Sequence, residues 1–360
     1  MDKFKCIAET GRSQTRFAET PDYTEGLYEL GQNSYAWMVP NGSWGEANAG
    51  LIVGEDESLL VDTFWDVRTT REMLDALKPL TGGAPITTLI NTHADGDHFF
   101  GNQLLPEVDS LTTQASYDEM LETKPGAMIL LRRIGKLLSL LPLGSNPQVG
   151  HWFQGMGAPY HFEEVVHTPA KRTFSGQMRL AVGGREIELI EVGPAHTLGD
   201  LLVFVPDAKL LFASDILFIG STPVIWAGPI ENWFKALDKI DSLKAEIIVP
   251  GHGPITNKDG VAQVRAYWTF VDEQTRERFR TGMSATEAAF DIVHSEGFKQ
   301  RPFANWNSPE RMMTSVHTIY RHLHGRTDQP TALNLLKTLR QQAILAHTLP
   351  DAQPAIMRKK

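Results

Sequence analysis

The stretch Asn91-Thr92-His93-Ala94-Asp95-Gly96-Asp97-His98 contains four potential metal ligands within six positions: His93, Asp95, Asp97 and His98. Histidine and aspartate are seldom fully buried unless they are paired or bound, so the packing of a core does not explain this density. Imidazole and carboxylate together suit zinc, iron or manganese better than calcium or magnesium. The stretch therefore predicts a metal site, and a solvated polar turn is the simpler alternative.

The residues on either side indicate where this cluster lies in a fold. Ile86 to Ile90 is an apolar run rich in β-branched residues, which predicts a buried strand. Phe99-Phe100-Gly101-Asn102 has the pattern of a helix start. The cluster is thus expected on a loop at the carboxyl end of a strand, where α/β folds place their ligands. Alternate residues of an extended segment point in opposite directions, so His93, Asp95 and Asp97 are expected to share one side.

Three further candidate ligands follow downstream, and each comes after an apolar run that predicts a strand. They are His196 after Ile187 to Val192, Asp215 after Leu210 to Ala213, and His252 after Ile247 to Val249. Ser214 precedes one of them, but no Gly-x-Ser-x-Gly elbow surrounds it, so a serine nucleophile is not predicted. No phosphate loop or dinucleotide fingerprint appears either.

The order and spacing of these seven residues resemble the metallo-β-lactamase superfamily. Its pattern is His-x-His-x-Asp-His, then His, then Asp, then Gly-His. The resemblance covers roughly residues 25–256 and implies an α+β fold, the αββα sandwich. It departs at one position, because Asp95 stands where the family has its second histidine. The flavodiiron branch of the family has glutamate there and binds iron, which keeps iron open beside zinc.

The resemblance implies two divalent metal ions, with zinc favoured and iron or manganese as alternatives. One ion would be held by His93, Asp95 and His196, and the other by Asp97, His98 and His252, with Asp215 bridging both. A bridging water would then lose a proton near neutral pH and attack a carbonyl or phosphoryl group. Asp97 could accept that proton as well as bind metal, which makes it the expected catalytic residue.

The expected activity is hydrolysis of an ester, lactone or thioester of a mid-sized, largely apolar small molecule. The stretch Asp95 to Asn102, together with the C-terminal helices, also resembles a clade that includes polyketide cyclase/thioesterase enzymes. An iron-dependent redox enzyme is a second alternative, prompted by Asp95, although no flavodoxin-like domain is visible. A protein that kept the metal site without catalysis is a third alternative.

The charge, the cysteine content and the lack of long apolar segments limit which partners and which cellular compartment we expect. The chain has 360 residues and a net charge of −9, so no general attraction to nucleic acid is expected. Its single cysteine, Cys6, excludes an internal disulfide and a thiolate metal site. The start lacks a long apolar segment and no run of 18 apolar residues exists, so we expect a cytoplasmic protein without a membrane span.

The chain is predicted to have four parts. They are an N-terminal arm (1–24), the metallo-β-lactamase-like domain (25–256), a C-terminal helical extension (257–348) and a disordered tail (349–360). Within the domain, Asp62 is expected to support the metal loop, as the resemblance implies, or to cap the helix from Val67 to Leu77.

A surplus segment over residues 114–171 is predicted to be an insertion near the site. It contains an apolar helix, Ala127 to Leu143, which carries Arg132, Arg133 and Lys136, and then a Gly-rich loop. Long Gly-rich insertions are often lids, so a lid over an apolar substrate is expected. A contact between two copies of the chain and an interfacial membrane helix are the alternatives.

Overall fold

The computed structural model describes residues 3–42 and 44–349, and over these residues the chain forms two β-sheets packed face to face between layers of helices. This arrangement confirms the predicted αββα sandwich of mixed α+β content. The packing follows the period of the strands. In β5 (Ser58–Val61), Leu59 and Val61 face the second sheet, while Leu60 faces the first helix, because successive side chains point to opposite faces.

The first sheet has eight strands in sequence order. They are β1 (Lys5–Glu9), β2 (Gly26–Gly31), β3 (Ser34–Met38), β4 (Ala49–Val53), β5, β6 (Ile86–Ile90), β7 (Asp109–Thr113) and β8 (Arg172–Phe174). Neighbours from β1 to β5 pair antiparallel, and neighbours from β5 to β8 pair parallel.

The second sheet has five strands in the order β13-β12-β11-β10-β9. They are β9 (Gln177–Val182), β10 (Arg185–Glu191), β11 (Leu201–Val205), β12 (Leu210–Phe212) and β13 (Ile247–Val249). β12 and β13 are parallel, so the loops after them leave the sheet at the same end.

Ten α-helices cover the outer faces of the sheets and form the insertion in the part of the chain that the structure describes. They are α1 (Val67–Thr81), α2 (Gln114–Met120), α3 (Pro125–Ser139), α4 (Asn146–Met156), α5 (Ile230–Ser242), α6 (Lys258–Arg280), α7 (Ala285–His294), α8 (Glu296–Lys299), α9 (Met312–Leu323) and α10 (Ala332–Ala346). Among these described helices, none has the length and apolar character needed to cross a membrane.

Helices α5, α6, α7 and α9 form the outer layer over the second sheet, whereas α10 packs on α9 and on α4 of the insertion. Trp233 of α5 and Trp268 of α6 lie in one buried cluster with Leu202 and Leu211, which project from the sheet. Ser284 followed by Glu287 is the spacing of a capping box, which predicts the start of a helix there, and α7 begins with that box and both of its reciprocal hydrogen bonds. The predicted helices over this region are therefore confirmed, whereas the tail from residue 350 onward lies outside the described residues.

The N-terminal part of the chain contains one strand and one turn that the sequence prediction missed. The predicted arm includes β1, which pairs with β2 at the edge of the first sheet. The alternating and apolar pattern of residues 26–39 predicts one strand, which residues 40–43 join to a second at 49–53, but residues 26–38 instead form a hairpin that turns at Gln32 and Asn33, both of which have positive φ. The prediction missed it because the turn has no glycine at either central position, although asparagine tolerates this conformation.

The prediction of a Gly-rich loop after α3 was wrong, because residues 146–156 form α4. A Cβ on Gly150 would lie 2.3 Å from the backbone nitrogen of Ser139 and 2.5 Å from the carbonyl oxygen of Gly135. The two glycines thus let the backbones of α3 and α4 approach closely. Glycine suggests a loop by its conformational freedom, but here it serves close helix packing.

The sequence predicts a hairpin of residues 172–182 and 185–192 that turns at Gly183-Gly184, and the first of these two strands divides between the two sheets. Residues 172–174 form β8, which pairs with β7 of the first sheet, and residues 177–182 form β9 of the second. Gly176, with φ of +76°, lies at the crossing. The predicted turn at Gly183-Gly184 between β9 and β10 is confirmed.

Candidate metal centre

The seven predicted ligands meet at one end of the sandwich. His93, His196 and Asp215 bring one ligand atom each within 4.8 Å of one another, and Asp97, His98 and His252 form a second such group. The loops come from the ends of β6, β10, β12 and β13. A backbone hydrogen bond of 2.9 Å from Leu201 to the carbonyl of Thr92 ties the first of these loops to the second sheet. The packing of the two sheets therefore brings the ligands of the first sheet next to those of the second.

Asp215 lies at the centre of the group. Its Oδ2 is 3.3 Å from Nε2 of His196, 3.2 Å from Nε2 of His252 and 3.8 Å from Nε2 of His93. Its Oδ1 is 3.3 Å from Nε2 of His98. One carboxylate thus touches the donor atoms of both halves of the group, which is the geometry that a bridging ligand needs.

Asp95 takes a more peripheral position than the other carboxylates. Its Oδ2 lies 3.1 Å from Nε2 of His196 and accepts a 3.0 Å hydrogen bond from Nε1 of Trp226. Its side chain is 33% exposed, compared with 13% for Asp97 and 3% for Asp215. The open side of the group is therefore the side of Asp95 and Asp97.

Two histidines are oriented by main-chain carbonyls. Nδ1 of His196 donates to the carbonyl of Val224 at 2.8 Å, and Nδ1 of His252 donates to that of Glu46 at 3.0 Å. A neutral imidazole that donates through Nδ1 has only an acceptor at Nε2. Each Nε2 nevertheless faces a carboxylate oxygen of Asp95 or Asp215 at 3.1–3.3 Å. Two acceptors this close need a positive charge between them, which either a proton on Nε2 or a metal ion supplies.

The other two histidines are oriented by Asp62 and Thr92. Nδ1 of His98 donates to Oδ2 of Asp62 at 3.0 Å, and the hydroxyl of Thr92 donates to the same oxygen at 2.7 Å. Because that hydroxyl donates its hydrogen bond to Asp62, its oxygen is free to accept one from Nδ1 of His93, which is 3.0 Å away. The helix cap is Asp66, which accepts from the backbone of Thr69. Of the two roles expected for Asp62, support of the metal loop is the one observed.

Three buried polar atoms at the centre lack a hydrogen bond of good geometry: Nε2 of His93, Nε2 of His98 and Oδ1 of Asp215, of which the last two lie 3.3 Å apart. An unpartnered buried polar atom destabilises a fold by about 1–3 kcal/mol, so three adjacent ones need an explanation. Imidazole nitrogens and carboxylate oxygens are ligands that zinc, iron and manganese accept. The donor set and its unpartnered atoms therefore fit divalent metal ions.

The ionisable side chains at the centre shift one another's pKa values strongly, even without a metal ion. Burial would raise the pKa of Asp215, but His252, His98 and His93 outweigh it and hold that pKa well below its usual value. Burial would lower the pKa of His196, but Asp95 and Asp215 raise it to about 10. The carboxylates thus favour positive charge at the centre, whether this charge is a proton or a metal ion.

Gly251 lets the last loop approach Asp215. A Cβ at this position would lie 1.9 Å from Oδ1 of Asp215, so any side chain would displace the carboxylate. The backbone nitrogen of Gly251 donates to the carbonyl of Ser214 at 2.8 Å. Glycine is therefore required immediately before His252, because the backbone at this position lies against the carboxylate of Asp215.

Asp200 holds the turn that carries His196. Its carboxylate accepts from the backbone nitrogens of Ala195 and Thr197 and from the hydroxyl of Thr197. Burial raises the pKa of Asp200 to about 6, although His196 and the hydrogen bonds from Thr197 oppose this rise. The carboxyl thus fixes the backbone on both sides of a predicted ligand.

Aromatic rings and one arginine line the side of the group near His252. Phe218 stacks on His252 with a centroid distance of 4.9 Å and an interplanar angle of 7°. The guanidinium of Arg311 lies 5.7 Å from the Phe218 ring centroid and 4.8 Å from that of Trp44, and it donates to the carbonyl of Thr222. The segment before α9 thus contributes a buried cation beside the centre.

Sequence reasoning missed four residues that orient this site: Ser214, Trp226, Arg311 and Asp200. Ser214 was considered only as a nucleophile, yet its hydroxyl lies 3.1 Å from Nδ1 of His93. The Thr197-Leu-Gly-Asp200 spacing offered a local signal for Asp200. The segment from Phe218 to Trp226 is predicted to be a pocket-wall loop, but no local pattern indicates the partners of Trp226 and Arg311, which lie 131 and 89 positions away in the chain.

A sequence model of the metallo-beta-lactamase superfamily matches residues 42–252, which is more than half of the chain. The chain belongs to the metallo-beta-lactamase superfamily. Members of this superfamily are mostly hydrolytic enzymes, and the predicted family is thereby confirmed.

Several curated members of the superfamily are similar in sequence. The 2,4-dinitroanisole O-demethylase subunit alpha of Nocardioides sp. (strain JS1661) is 26% identical over 223 residues, which cover 60% of this chain and 54% of that protein. The linear primary-alkylsulfatase of Pseudomonas sp. (strain ATCC 19151) is 21% identical over 261 residues, 67% of this chain and 48% of that protein. The chain thus spans about half the length of these relatives.

Solved structures of the superfamily share the fold. The stereoselective inverting sec-alkylsulfatase Pisa1 from Pseudomonas sp. aligns with a TM-score of 0.60 and 18% identity, over 87% of this chain and 52% of that one. A metallo-beta-lactamase family protein from Thermus thermophilus aligns with a TM-score of 0.57 and 19% identity, over 82% of this chain and 95% of that one. At these identities the likeness concerns the fold.

Proposed function

We propose that this superfamily member is a metal-dependent hydrolase that uses two divalent metal ions, with zinc favoured over iron or manganese. His93, Asp95 and His196 would hold one ion and Asp97, His98 and His252 the other, with Asp215 between them. The observation that supports this most directly is the convergence of four imidazole Nε2 atoms on Asp215, at distances of 3.2–3.8 Å.

The charges of the site support a pair of dications. Asp95, Asp97 and Asp215 together supply three negative charges next to four imidazoles. When bound, the metal pair would supply an acidified water as nucleophile and a Lewis acid for the scissile oxygen. The protein would contribute fixed ligands and exclude bulk water on the buried side.

Asp97 is the proposed proton acceptor. Its Oδ2 lies 3.6 Å from Nε2 of His252 and 4.0 Å from Nε2 of His98, on the open side of the group. Burial raises the pKa of this carboxyl, with His98 and His252 opposing the rise. A carboxylate with a raised pKa beside the nucleophile is suited to accept a proton and pass it to the leaving group.

The surroundings favour a largely apolar substrate. Trp226 is half-buried and donates to Asp95 at the open side, and the aromatic cluster that includes Trp44, Phe99 and Trp152 continues from the site into the insertion. Esters, lactones and thioesters of mid-sized apolar molecules are the proposed substrates. The role of 114–171 as a lid stays a prediction.

Alkyl sulfate esters are a second candidate substrate class. One sequence relative and one structural relative are both named alkylsulfatases, and the structural alignment covers 87% of this chain, well beyond the residues that the superfamily model matches. An alkyl sulfate resembles the esters proposed above, because it also joins an apolar chain to an acidic group through an oxygen atom. This candidate belongs in any substrate screen.

Metal analysis combined with a substrate panel tests the proposal. The purified chain should carry near two equivalents of metal, and chelation should abolish the hydrolysis of whichever aryl ester, lactone, thioester or alkyl sulfate it turns over. Asp215→Asn should lose both metal and activity, because its carboxylate touches both halves of the group. Asp97→Asn should lower kcat by about 10²–10⁴-fold.

The matched control is Asp238→Asn, which removes an exposed carboxylate that pairs with Arg265 on the surface. This variant should keep its metal and its activity. Undiminished hydrolysis by the metal-free protein would overturn the proposal.

A further inference from the structure

The insertion presents an exposed apolar face on the outside of the molecule. Leu130 and Leu137 of α3, with Leu140, Leu141 and Leu143 directly after it, are between 39% and 72% exposed. They make up five of the nine large apolar side chains that are exposed in the described part of the chain. We call these five residues the leucine face. Contiguous exposed apolar surface of this kind marks an interaction site.

The leucine face is flanked by positive charge. Residues 124–162 contain four lysines and arginines and no aspartate or glutamate, in a chain whose net charge is −9. Arg133 lies on the same helical stripe, three residues after Leu130 and four before Leu137. Neither Arg133 nor Lys136 has a carboxylate within ion-pair distance among residues 3–42 and 44–349. This charge is available to a partner.

Three of the four lysines and arginines in this segment line a hollow beside the leucine face. Its volume is about 270 Å³, and it lies between α3 and α4. It is lined by Ile129, Arg132, Arg133, Lys136, Gln154 and Glu163. Glu163 is paired with Arg132, so two of the three cations have no counter-charge there. The hollow is therefore suited to a phosphate group.

We propose that α3 and the leucine face dock on an anionic lipid bilayer. The five leucines enter the boundary between headgroups and acyl chains, and the hollow between α3 and α4 holds a lipid phosphate. A helix that combines leucines on one face with lysine and arginine binds a membrane surface through buried apolar area and attraction to anionic lipids. This contact lies in the plane of the membrane and involves no spanning segment. It is independent of the proposed chemistry.

The same observations argue against a second copy of the chain on this face. Two copies related by a two-fold axis would bring identical surfaces together. Arg133 and Lys136 of each copy would then face a patch whose unpaired charges are also positive, because the one carboxylate that lines the hollow, Glu163, is already paired with Arg132. Like charges brought together without counter-charges oppose association. An anionic bilayer supplies the counter-charge that a second copy lacks.

Vesicle binding tests the proposal directly. The full chain should sediment with vesicles of equimolar phosphatidylcholine and phosphatidylglycerol, and much less with phosphatidylcholine alone. Leu137→Ser with Leu140→Ser should reduce partitioning at least about tenfold. Arg133→Gln and Lys136→Gln should each reduce it roughly fivefold, and added salt should weaken binding in the wild type. Ile7→Ser, at an exposed position on β1, is the matched control and should bind normally.

A label at a single position distinguishes docking from indirect effects. In a Cys6→Ser background, an environment-sensitive fluorophore on Leu140→Cys should report an apolar surrounding with the mixed vesicles, and one on Ile7→Cys should not. Failure of the wild type to bind the mixed vesicles would overturn the proposal. Equal binding of the leucine variant would also overturn it, as would a dimer in sedimentation that the leucine variant dissociates without any vesicle binding.

Discussion

Asp62 shows how one carboxyl can orient several groups at once. It has φ of +64°, and its two oxygens accept from the backbone and hydroxyl of Thr92 and from Nδ1 of His98. Burial raises the pKa of Asp62, and the contacts with His98 and Thr92 oppose that rise. A carboxylate behind a metal-binding histidine fixes its orientation and raises its basicity.

Asp62→Asn should lower metal affinity without unfolding the protein. Asparagine tolerates the left-handed backbone, so the fold is kept, but the amide loses the charge that supports the His98 ring. We expect metal affinity to fall about 10–100-fold, measured by competition with a chromophoric chelator.

Asp66→Asn is the control, because Asp66 is equally buried but caps α1. It should keep the cap to Thr69 but lower the free energy of unfolding by about 1–2 kcal/mol, because the amide nitrogen cannot accept the hydrogen bond that the backbone of His161 donates to Oδ2, and it should leave metal affinity unchanged. If Asp62→Asn bound metal like the wild type, the orienting role of Asp62 would be refuted.

Among the helices, α3 and α4 depend on small residues for their contact. A Cβ on Gly135 would lie 2.8 Å from the carbonyl oxygen of Gly150 and 2.9 Å from Cβ of Phe153. Trp152 and Phe153 of α4 and Leu131 of α3 are buried on the inner side of this pair. The close contact therefore fixes how α3 and α4 pack on each other in the insertion.

Gly150→Ala should destabilise the protein, although alanine favours helices. Its Cβ would meet backbone atoms of α3 at 2.3–2.5 Å, so the helices must separate. We expect a loss of about 1–3 kcal/mol in the free energy of unfolding, measured by urea denaturation.

Gly126→Ala in α3 is the matched substitution, because nothing lies within 4 Å of its Cβ position. It should leave stability unchanged or raise it by up to about 1 kcal/mol. Equal stability of the two variants would show that the α3–α4 contact is not close in solution.

The stability of the whole molecule should depend on pH through His317. Burial between α7 and α9 lowers the pKa of this imidazole to about 4, and its Nε2 lies 3.0 Å from the hydroxyl of Thr286. The folded state keeps the ring neutral, whereas the unfolded chain takes up a proton below about pH 6.5. This contribution to stability is therefore complete above about pH 6.5 and is lost as the pH falls towards 4.

Urea denaturation at about pH 7 and about pH 5 measures this contribution, which should amount to about 2 kcal/mol between the two conditions. His317→Gln cannot titrate, so the difference in pH dependence between wild type and variant isolates the histidine from the metal-binding groups. Identical pH dependence in the two proteins would refute the assignment to His317.

The segment before α9 joins the C-terminal helices to the candidate metal centre. The side chain of Asn307 donates to the carbonyl of Asn41, and its backbone carbonyl accepts from Thr222. Arg311 then reaches the rings of Trp44 and Phe218. The helical layer thus shares residues with the loops around His252. The boundary predicted at 256/257 is a boundary in sequence pattern, and its status as a domain boundary stays a prediction.

The sequence by itself determined which residues could bind metal and where the strands that present them end. Apolar runs and their period are local properties, so the strands before His93, His196, Asp215 and His252 could be predicted from adjacent residues. The terminal helices were predicted for the same reason. The departure at Asp95 was also visible in the sequence alone.

Only the tertiary structure decided how these side chains are oriented. The carbonyls that point the Nε2 atoms inward come from Val224 and Glu46, which are 28 and 206 positions from their histidines. The partner of Asp95 is Trp226, and the reason for Gly150 is its contact with α3. Such contacts form because two sheets and an insertion bury their apolar faces together, and a local pattern contains no information about partners so distant in the chain.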